Sequence, residues 1–388
     1  MTLLISYSYK NVFARRLTSI LTIAGIALVV FVFCAVLMLS HGLRTALVET
    51  GLKDNVIAIR RASQTEVQSI IPRDMANTIK ADAAIAVDAD GSPLFTNEIL
   101  VLINQPKRGT DEPSNVPVRG VTEYSRKLRP NMRLVDGRMW REGTSEVIAG
   151  AKVAATFQGC GLGETLRFGT RDWTIVGIFE TGGSGFESEI WGDVDQLMDA
   201  FGRPVFSSLT MRLTSPNEFE AMKERLESDP RLTVEIMPER EYYLEQSRFT
   251  SLFISVMGIA VSIIFSLGAV VGAMITMYSS VANRTIEIGT LRALGFSRTK
   301  VLSAFLLEAV IISIIGGLLG LLTASLLRFV EVSTTNWNTF AELAFSFEIS
   351  WNIVGGALLF AVLMGIVGGF LPAVRASRFR IVNALRAK

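Results

Sequence analysis

Histidine and cysteine are almost missing from this chain, which has one and two of them among 388 residues. The single histidine, His41, cannot supply the two histidines of an H-E-x-x-H zinc site, and its place at the end of a long apolar run does not suit a His-based triad. No G-x-x-x-x-G-K-[ST] loop occurs, so the chain has no phosphate cradle of that type. We therefore expect no catalytic residue and no metal site in this chain.

Charge is scarce in four long apolar segments, and each is long enough to cross a bilayer, which takes about 20 helical residues. Lys10, Arg15 and Arg16 precede the first segment, as they would in a cleaved signal peptide. Its apolar run of 23 residues is longer than the roughly 7 to 15 of a signal peptide, and no A-x-A-like site follows. We therefore predict four transmembrane helices, which are residues 17–42, 251–278, 301–327 and 353–371.

Basic residues concentrate on three short segments. Residues 1–16 have three basic and no acidic residues, residues 279–300 four and one, and residues 372–388 five and none. By contrast, residues 43–248 have 25 basic and 31 acidic residues, and residues 328–352 have one and three. Because short loops rich in Lys and Arg stay in the cytosol, we predict cytosolic termini, a cytosolic 279–300 loop and a large outer domain.

The two cysteines, Cys34 and Cys160, cannot form a disulfide with each other, since the first lies in a predicted span and the second in the outer segment. An outer domain of about 200 residues can bury a sufficient core without one. Cys160 is more typical of a small buried hydrophobe than of a reactive thiol.

The outer segment has the alternation and short apolar runs of a mixed α/β domain. A composition break, PKRGTDEPSN at residues 106–115, divides it. The predicted strands are NVIAIR, NEILVLINQ, VPVRGV, DWTIVGIFE, SSLTMRL and LTVEIM, and the predicted helices are IPRDMANTIKAD, DVDQLMDAFG and PNEFEAMKERLESD.

The predicted fold is an α-helical membrane protein with four transmembrane helices and a large mixed α/β periplasmic domain between helices 1 and 2. That domain, residues 43–250, has two subdomains. Its ends, SHGLRTALVETGLKD and EREYYLEQSRFTS, predict helices that continue the first two spans outward as a stalk. The predicted segments are an amphipathic lead-in at 1–16, a membrane-proximal subdomain at 43–115 and 204–250, an inserted subdomain at 116–203, a cytosolic loop at 279–300, a short periplasmic loop at 328–352 and a cytosolic tail at 372–388.

Three of the spans have glycines in G-x-x-x-G spacing, which lets helix backbones approach closely. Glycine is common in membrane helices, so one pair means little, but three pairs in three spans favour close helix packing. The pairs are Gly268 and Gly272, Gly316 and Gly320, and Gly365 and Gly369.

Glu308 is the one carboxylate within a predicted span. Acids at such positions are functional hypotheses by default. Glu308 lies about two turns from the cytosolic end, and no span offers it a charged partner. A bond to a neighbouring helix, a snorkelling side chain and a proton relay stay open, and we leave its role unassigned.

Four stretches carry a family resemblance. Three lie at the membrane: KNVFARRLTSILTIAGIALVV, RTIEIGTLRALGFSRTKVLSAFLLEAVIISIIGGLLG and LPAVRASRFRIVNALRA. The fourth, in the outer segment, begins DGRMWREGTSEVIAGAKVAA and ends GGSGFESEIWG. With the order of one span, a large outer domain and three further spans, they resemble membrane subunits of the MacB-like, or FtsX-like, family of ABC transporters, also called type VII. Stand-alone permeases of the DevC or MacB sort are the most similar in architecture.

That resemblance implies that the 279–300 loop is a coupling helix seated on a separate cytosolic ABC ATPase, which would bind ATP and Mg. It also implies pairing of two permease subunits, with a homodimer favoured. The alternative is a solvated loop in which Arg284 and Glu287 form a weak ion pair, of about 0.2 to 0.5 kcal/mol. The positions that match the coupling motif are Arg284, Glu287, Ile288, Leu291, Arg292 and Gly295.

The resemblance further implies export of a substrate from the periplasm by mechanotransmission, with a periplasmic adaptor and an outer-membrane channel, from a bacterial inner membrane. No nucleic acid is expected as a partner. Two related functions stay open, an FtsX-like regulator of an extracytoplasmic hydrolase and a lipoprotein-extracting permease like LolC or LolE. A secondary transporter or a receptor is disfavoured, because intramembrane charges are few and the cytosolic segments are short.

Overall fold

The computed structural model describes residues 16–110, 112–335 and 339–379. The described chain forms two compact units. The membrane unit takes its residues from Met1–Gly42, Leu252–Val330 and Ser346–Lys388, and the outer unit consists of Leu43–Ser251 and Glu331–Phe345. The second stretch of the outer unit comes from the predicted loop at 328–352, which is therefore more than a connection between two spans.

Ten α-helices occur in the described residues. Among them, four are long and apolar enough to cross a membrane, as predicted from the apolar runs. In chain order the helices are α1 (Arg16–Val48), α2 (Arg73–Lys80), α3 (Tyr124–Leu128), α4 (Ala151–Thr156), α5 (Val194–Ala200), α6 (Glu218–Ser228), α7 (Glu239–Asn283), α8 (Thr285–Ala293), α9 (Arg298–Ser325) and α10 (Trp351–Ser377).

The second spanning helix, α7, is one uninterrupted helix of 45 residues. At 1.5 Å per residue it is about 68 Å long, roughly twice the thickness of a hydrocarbon core. Its first residues therefore form a helical segment outside the span, as the absence of Pro and Gly there predicts. α1 likewise continues to Val48. In the outer unit, a Cβ on Gly51 would lie 2.6 Å from the backbone of Arg240, so the two chain segments approach closely there.

The outer unit is built on a ten-stranded mixed sheet with the order β10-β1-β9-β2-β3-β8-β5-β7-β4, in which β6 pairs with β7. The strands are β1 (Asn55–Arg60), β2 (Phe95–Pro106), β3 (Pro113–Val121), β4 (Arg133–Gly137), β5 (Glu146–Gly150), β6 (Thr165–Phe168), β7 (Arg171–Glu180), β8 (Ile190–Asp193), β9 (Ser208–Arg212) and β10 (Val234–Pro238). Two more, β11 (Glu331–Thr335) and β12 (Glu342–Ser346), form a separate two-stranded sheet.

One long strand joins the two predicted subdomains. The first part of β2 pairs with β9, and the part from Ile99 to Pro106 pairs with β3. The composition break at 106–115 is the turn between β2 and β3 together with the start of β3. The inserted strands thus extend the same sheet, and no linker separates them from the rest.

The outer unit has a buried ionic network at its centre. Arg119 donates hydrogen bonds to Glu66, Glu98 and Glu189 at 2.7 Å each. Arg129 donates to Glu98 at 2.6 Å and lies 3.6 Å from Glu239. The two guanidinium groups lie over aromatic rings, Arg119 over Phe186 and Arg129 over Phe186 and Trp191.

This network shifts the pKa values of its carboxyl groups in opposite directions. Burial raises the pKa of Glu66, but the charge and hydrogen bonds of Arg119 outweigh burial and hold the pKa below its ordinary value. Burial also raises the pKa of Glu239, and there it outweighs Arg129, so that this pKa stays above its ordinary value. The pattern of apolar residues gave no sign of the network, because its members are charged residues spread over more than 170 positions of the sequence.

Candidate functional site: the coupling helix and the spanning helices

The loop between the second and third spans contains the short helix α8. α7 ends at Asn283, and Arg284 occupies the N-cap position of α8. At the other end Gly295 has a φ of +91°, a left-handed conformation that glycine adopts without steric cost. Ser297 then caps α9 by accepting a hydrogen bond from the Lys300 amide at 3.4 Å. Local sequence signals therefore set both ends of this helix–turn–helix.

Arg284 and Glu308 form an ion pair inside the membrane unit. Arg284 Nη1 donates to Glu308 Oε2 at 2.8 Å, and the two side chains are only 6% and 7% exposed. The guanidinium of Arg284 also lies over the ring of Phe305, at 6.0 Å from its centroid. This pair joins the start of α8 to α9, and it gives Glu308 a charged partner from outside the spans. The sequence pattern did not indicate this partner, because Arg284 lies outside the predicted spans.

A small cavity of about 40 Å³, with apolar and hydroxyl-bearing residues in its lining, lies next to Glu308. The hydroxyl-bearing residues Ser19, Thr22, Thr276 and Ser280 line it, and Thr22 and Thr276 hydrogen-bond each other at 2.9 Å. A cavity of this size and polarity can hold water, which needs roughly 10 to 15 Å³ and at least two polar partners. Glu308, only 6% exposed, thus borders a space large enough for a water molecule within a mainly apolar bundle.

The inward face of α8 packs into an apolar cluster. Ile288 is buried there, and the cluster also contains the end of α7, the start of α9 and the end of α10. The buried members are Met277, Val281, Ile288, Val301, Phe305, Ala373 and Ala376. The cluster and the ion pair together fix α8 to three of the spanning helices.

The opposite face of α8 is exposed. Ile286 and Leu294 are 54% and 72% exposed, and Glu287 lies beside them on the surface. The six predicted coupling residues therefore differ in how far they are exposed to solvent. Arg284 and Ile288 point inward, Glu287 and Gly295 are exposed, and Leu291 and Arg292 are half-buried, with Arg292 donating to the Phe296 carbonyl at 3.2 Å. Two exposed apolar side chains, Ile286 on α8 and Leu294 directly after it, form a surface suited to a partner.

Two of the three glycine pairs pack within the chain. A Cβ on Gly316 or Gly320 would meet α1, at 3.0 Å from Ile23 O and 2.5 Å from Ala27 O respectively. Gly365 and Gly369, on α10, likewise face Ser313 and Ala309 of α9. At these positions any larger side chain would force the helices apart.

Gly268 and Gly272 differ from the other pairs, because a Cβ at either position would meet nothing within 4 Å among the described residues. They line an open apolar groove of about 470 Å³ between α1 and α7, to which Gly25 of α1 also contributes. A Cβ on Gly25 would likewise have open space around it. The groove therefore presents three glycines on one surface of the membrane unit.

Comparison with known proteins assigns the family. The family model for a MacB-like periplasmic core domain matches residues 19–229, more than half of the chain, and the model for an FtsX-like permease C-terminal region matches residues 251–381. The chain belongs to the MacB/FtsX-like family of ABC transporter permeases. The resemblance read from the EIGTLRALG stretch and the outer domain is thereby confirmed, as is the fold class.

Three relatives have low sequence identity to this chain but align over most of its length. The MacB/FtsX-like permease is 26% identical over 294 residues to an uncharacterized ABC transporter permease, YknZ, of Bacillus subtilis, and this covers 71% of each chain. It is 25% identical to the macrolide export ATP-binding/permease protein MacB of Escherichia coli, covering 98% of this chain and 60% of MacB. It is 23% identical to the uncharacterized ABC transporter permease MJ1507 of Methanocaldococcus jannaschii, covering 99% and 98%.

The permease thus spans about three fifths of the length of MacB. Among solved structures, the extracellular domain of the noncanonic ABC-type transporter YknZ from Gram-positive bacteria matches 47% of this chain and 99% of that domain, at 14% identity and a TM-score of 0.36. The family matches make the chain a membrane permease subunit of an ABC transporter, a family that implies an ATPase partner.

Proposed function

We propose that this permease transmits the ATP-driven movement of a separate ATPase subunit to its own outer domain, and that α8 is the contact with that ATPase. The observation that carries the proposal is the two-sided character of α8. One face is anchored to the spans through Arg284 and Ile288, and the other exposes Ile286, Glu287 and Leu294. A helix that only closed a solvated loop would need neither the anchor nor the exposed apolar residues.

The anchor determines where force applied to α8 would go. Removing one partner of a buried ion pair costs about 3 to 5 kcal/mol, so Arg284 and Glu308 resist separation. A push on α8 would pass to α9 through this pair and to α7 through the continuous backbone at Asn283. α7 then carries it outward, because it runs without interruption to Glu239 at the edge of the β10 strand.

We infer further that two permease subunits pair through the groove between α1 and α7. The open glycines Gly25, Gly268 and Gly272 support this, since small residues allow helix backbones of two chains to approach and pack. A second copy is the occupant that fits, because an interface of apolar side chains and glycines in lipid gains its stability from close packing. An acyl chain of a lipid is the alternative outcome of the experiment below.

The transport direction we propose is outward, from the periplasm through an adaptor and an outer-membrane channel. The name of the relative MacB, a macrolide export protein, supports export. The large outer domain supports work done on the outer side of the membrane, which we propose is a bacterial inner membrane with both termini in the cytosol.

Purification of the chain with and without a co-expressed ABC ATPase subunit tests the proposal. In lipid nanodiscs, the chain alone should hydrolyse no ATP, and the complex should hydrolyse ATP and contain two permease chains. Robust ATP turnover by the isolated chain, free of contaminating ATPase, contradicts the assignment. A complex with one permease chain and lipid in the groove contradicts the pairing alone.

A further inference from the structure

The segment between the third and fourth spans folds as part of the outer unit. β11 and β12 form its hairpin, and Glu331–Phe345 belongs to the same compact unit as Leu43–Ser251. The chain therefore passes between the two units four times, once each in α1 and α7 and twice at this hairpin. The sequence predicted only a short loop here, because five-residue strands separated by a few residues give little periodic signal.

The second half of the hairpin is held to the outer unit by polar contacts at Phe340, Glu342 and Ala344. Lys107 lies 2.6 Å from Glu342, and Asn115 donates to the Phe340 carbonyl at 3.0 Å. The backbone of Ala344 is held twice, since its amide donates to Ser188 Oγ at 3.1 Å and its carbonyl accepts from Lys152 Nζ at 3.1 Å.

Lys152 shows that the hairpin is built into the unit. This lysine is only 9% exposed, and its ammonium also donates to the Gly183 carbonyl at 3.3 Å and lies 3.5 Å from Glu187. Without the hairpin, a buried ammonium would lose one of its acceptors, which is costly in a protein interior. The apolar residues Leu343 and Phe345 are buried beside it.

The connections from the hairpin to α9 and α10 are short. A 3₁₀ turn, Leu326–Phe329, follows α9 directly, and only Val330 separates it from β11. Four residues separate β12 from α10, and they can span at most about 14 Å. That segment is also fixed within the membrane unit, where the Glu348 amide donates to the Met38 carbonyl at 3.4 Å. Connections this short cannot lengthen much if the hairpin is displaced relative to α9 and α10.

We propose that the β11–β12 hairpin is a second mechanical linkage, which ties the outer unit to α9 and α10 in addition to the helices α1 and α7. It rests on the proposed function, because it assumes that ATP hydrolysis by the partner moves the outer unit. Glu342 is the positioning residue of this linkage, and Lys107 is its partner. Movement of the outer unit then requires movement of all four spanning helices.

Hydrogen exchange of the complete complex in nanodiscs, with and without ATP and vanadate, tests the linkage. In the unmodified complex, ATP should change amide protection in peptides covering 43–48, 239–251, 321–330 and 350–357. In Glu342→Lys, which places two ammonium groups together, the change at 321–330 and 350–357 should be lost while that at 43–48 and 239–251 remains. Glu331→Lys, with the same charge change at an exposed position of the same hairpin, should behave as the unmodified complex.

A disulfide provides the second variant. Ser188→Cys with Ala344→Cys should crosslink under oxidation, and in the Glu342→Lys background it should restore the lost changes until it is reduced. Failure of that disulfide to form, or a full change at 321–330 and 350–357 in Glu342→Lys, overturns the linkage. No ATP-dependent change anywhere in the unmodified complex overturns the proposed function and the linkage with it.

Discussion

Arg284, at the start of α8, is bound to Glu308 of the third span by a 2.8 Å hydrogen bond between two almost fully buried side chains. The acid that stands alone in its span is therefore one half of a structural ion pair. The ion pair joins α8, which we propose receives the force from the ATPase, to α9, which we propose transmits that force. It also makes the pair the most direct place to test coupling.

Removal of either partner should uncouple ATP hydrolysis from transport. Arg284→Ala leaves a carboxylate in a low-dielectric site, at a cost of about 3 to 5 kcal/mol. The single variants Arg284→Glu and Glu308→Arg, the exchanged double variant and the unmodified chain form a double-mutant cycle of unfolding. The double variant should be more stable than either single variant, and its coupled activity should be closer to that of the unmodified chain. Equal stability and activity in these four forms would show that the pair has no structural role.

Charge reversal at Glu287 should affect the contact with the ATPase and leave the fold intact, because this side chain is exposed. Like charges brought together at an interface cost several kcal/mol, whereas surface substitutions usually stay within about 0.5 kcal/mol. We expect Glu287→Lys to insert normally but to release the ATPase or uncouple it, as judged by co-purification and an export assay. Glu331→Lys, on the outer side, is the matched control. Full binding with full activity in Glu287→Lys would reduce α8 to an ordinary charged loop.

Leucine substitutions should separate the glycines that pack within the chain from those that are open. Gly316→Leu should prevent correct folding, because a Cβ there already lies 3.0 Å from α1. Gly268→Leu should fold normally, since its surroundings are open, and should weaken pairing by about tenfold, or about 1.4 kcal/mol. Subunit exchange, measured by energy transfer between labelled chains in liposomes, compares the pairing of the two variants with that of the unmodified chain. Unchanged pairing in Gly268→Leu would move the interface elsewhere. Gly268 and Gly316 have the same G-x-x-x-G spacing in the sequence, and only the structure shows that Gly316 packs against α1 while Gly268 does not.

Loss of the central guanidinium of the outer unit should be strongly destabilising. Arg119→Ala would leave Glu66, Glu98 and Glu189 buried without their main partner, and we expect a loss of about 3 to 5 kcal/mol. Arg133→Ala removes the exposed pair with Glu180 and should cost less than about 1 kcal/mol. Fluorescence of the buried Trp173 and Trp191 follows unfolding of the full chain in detergent. Similar losses in the two variants would mean that the network adds little.

Cysteine labelling tests the orientation predicted from the basic residues. Burial raises the pKa of the Cys160 thiol to about 12, so the native chain should react with maleimide only after unfolding. Thr110→Cys, at an exposed turn, should react with an impermeant maleimide in intact spheroplasts. Thr299→Cys, beside α8, should react only after permeabilisation. Labelling of Thr299→Cys in intact spheroplasts would invert the topology.

The features that the sequence predicts well are set by residues that are close together along the chain. The four spans, the strand NVIAIR, the helices around Ala76 and Met222, and the continuous start of α7 follow from runs and periods of apolar residues. The strands β4, β5, β6 and β8 were not predicted, since they have only four or five residues each, and β4, β5 and β8 pair with strands that are distant in the sequence. The ion pair that anchors α8 to the third span was not predicted either, since Arg284 and Glu308 lie in different helical segments.

The sequence by itself thus determined the family, the number of spans and the position of α8 between the second and third spans, because local composition and one contiguous motif specify each of them. Only the tertiary structure decided which charges pair, which glycines face another helix of the same chain, and that the loop after α9 belongs to the outer unit. Arg284 and Glu308 are 24 positions apart, and Lys107 and Glu342 are 235 apart. Such contacts depend on how elements pack, and no local pattern records them.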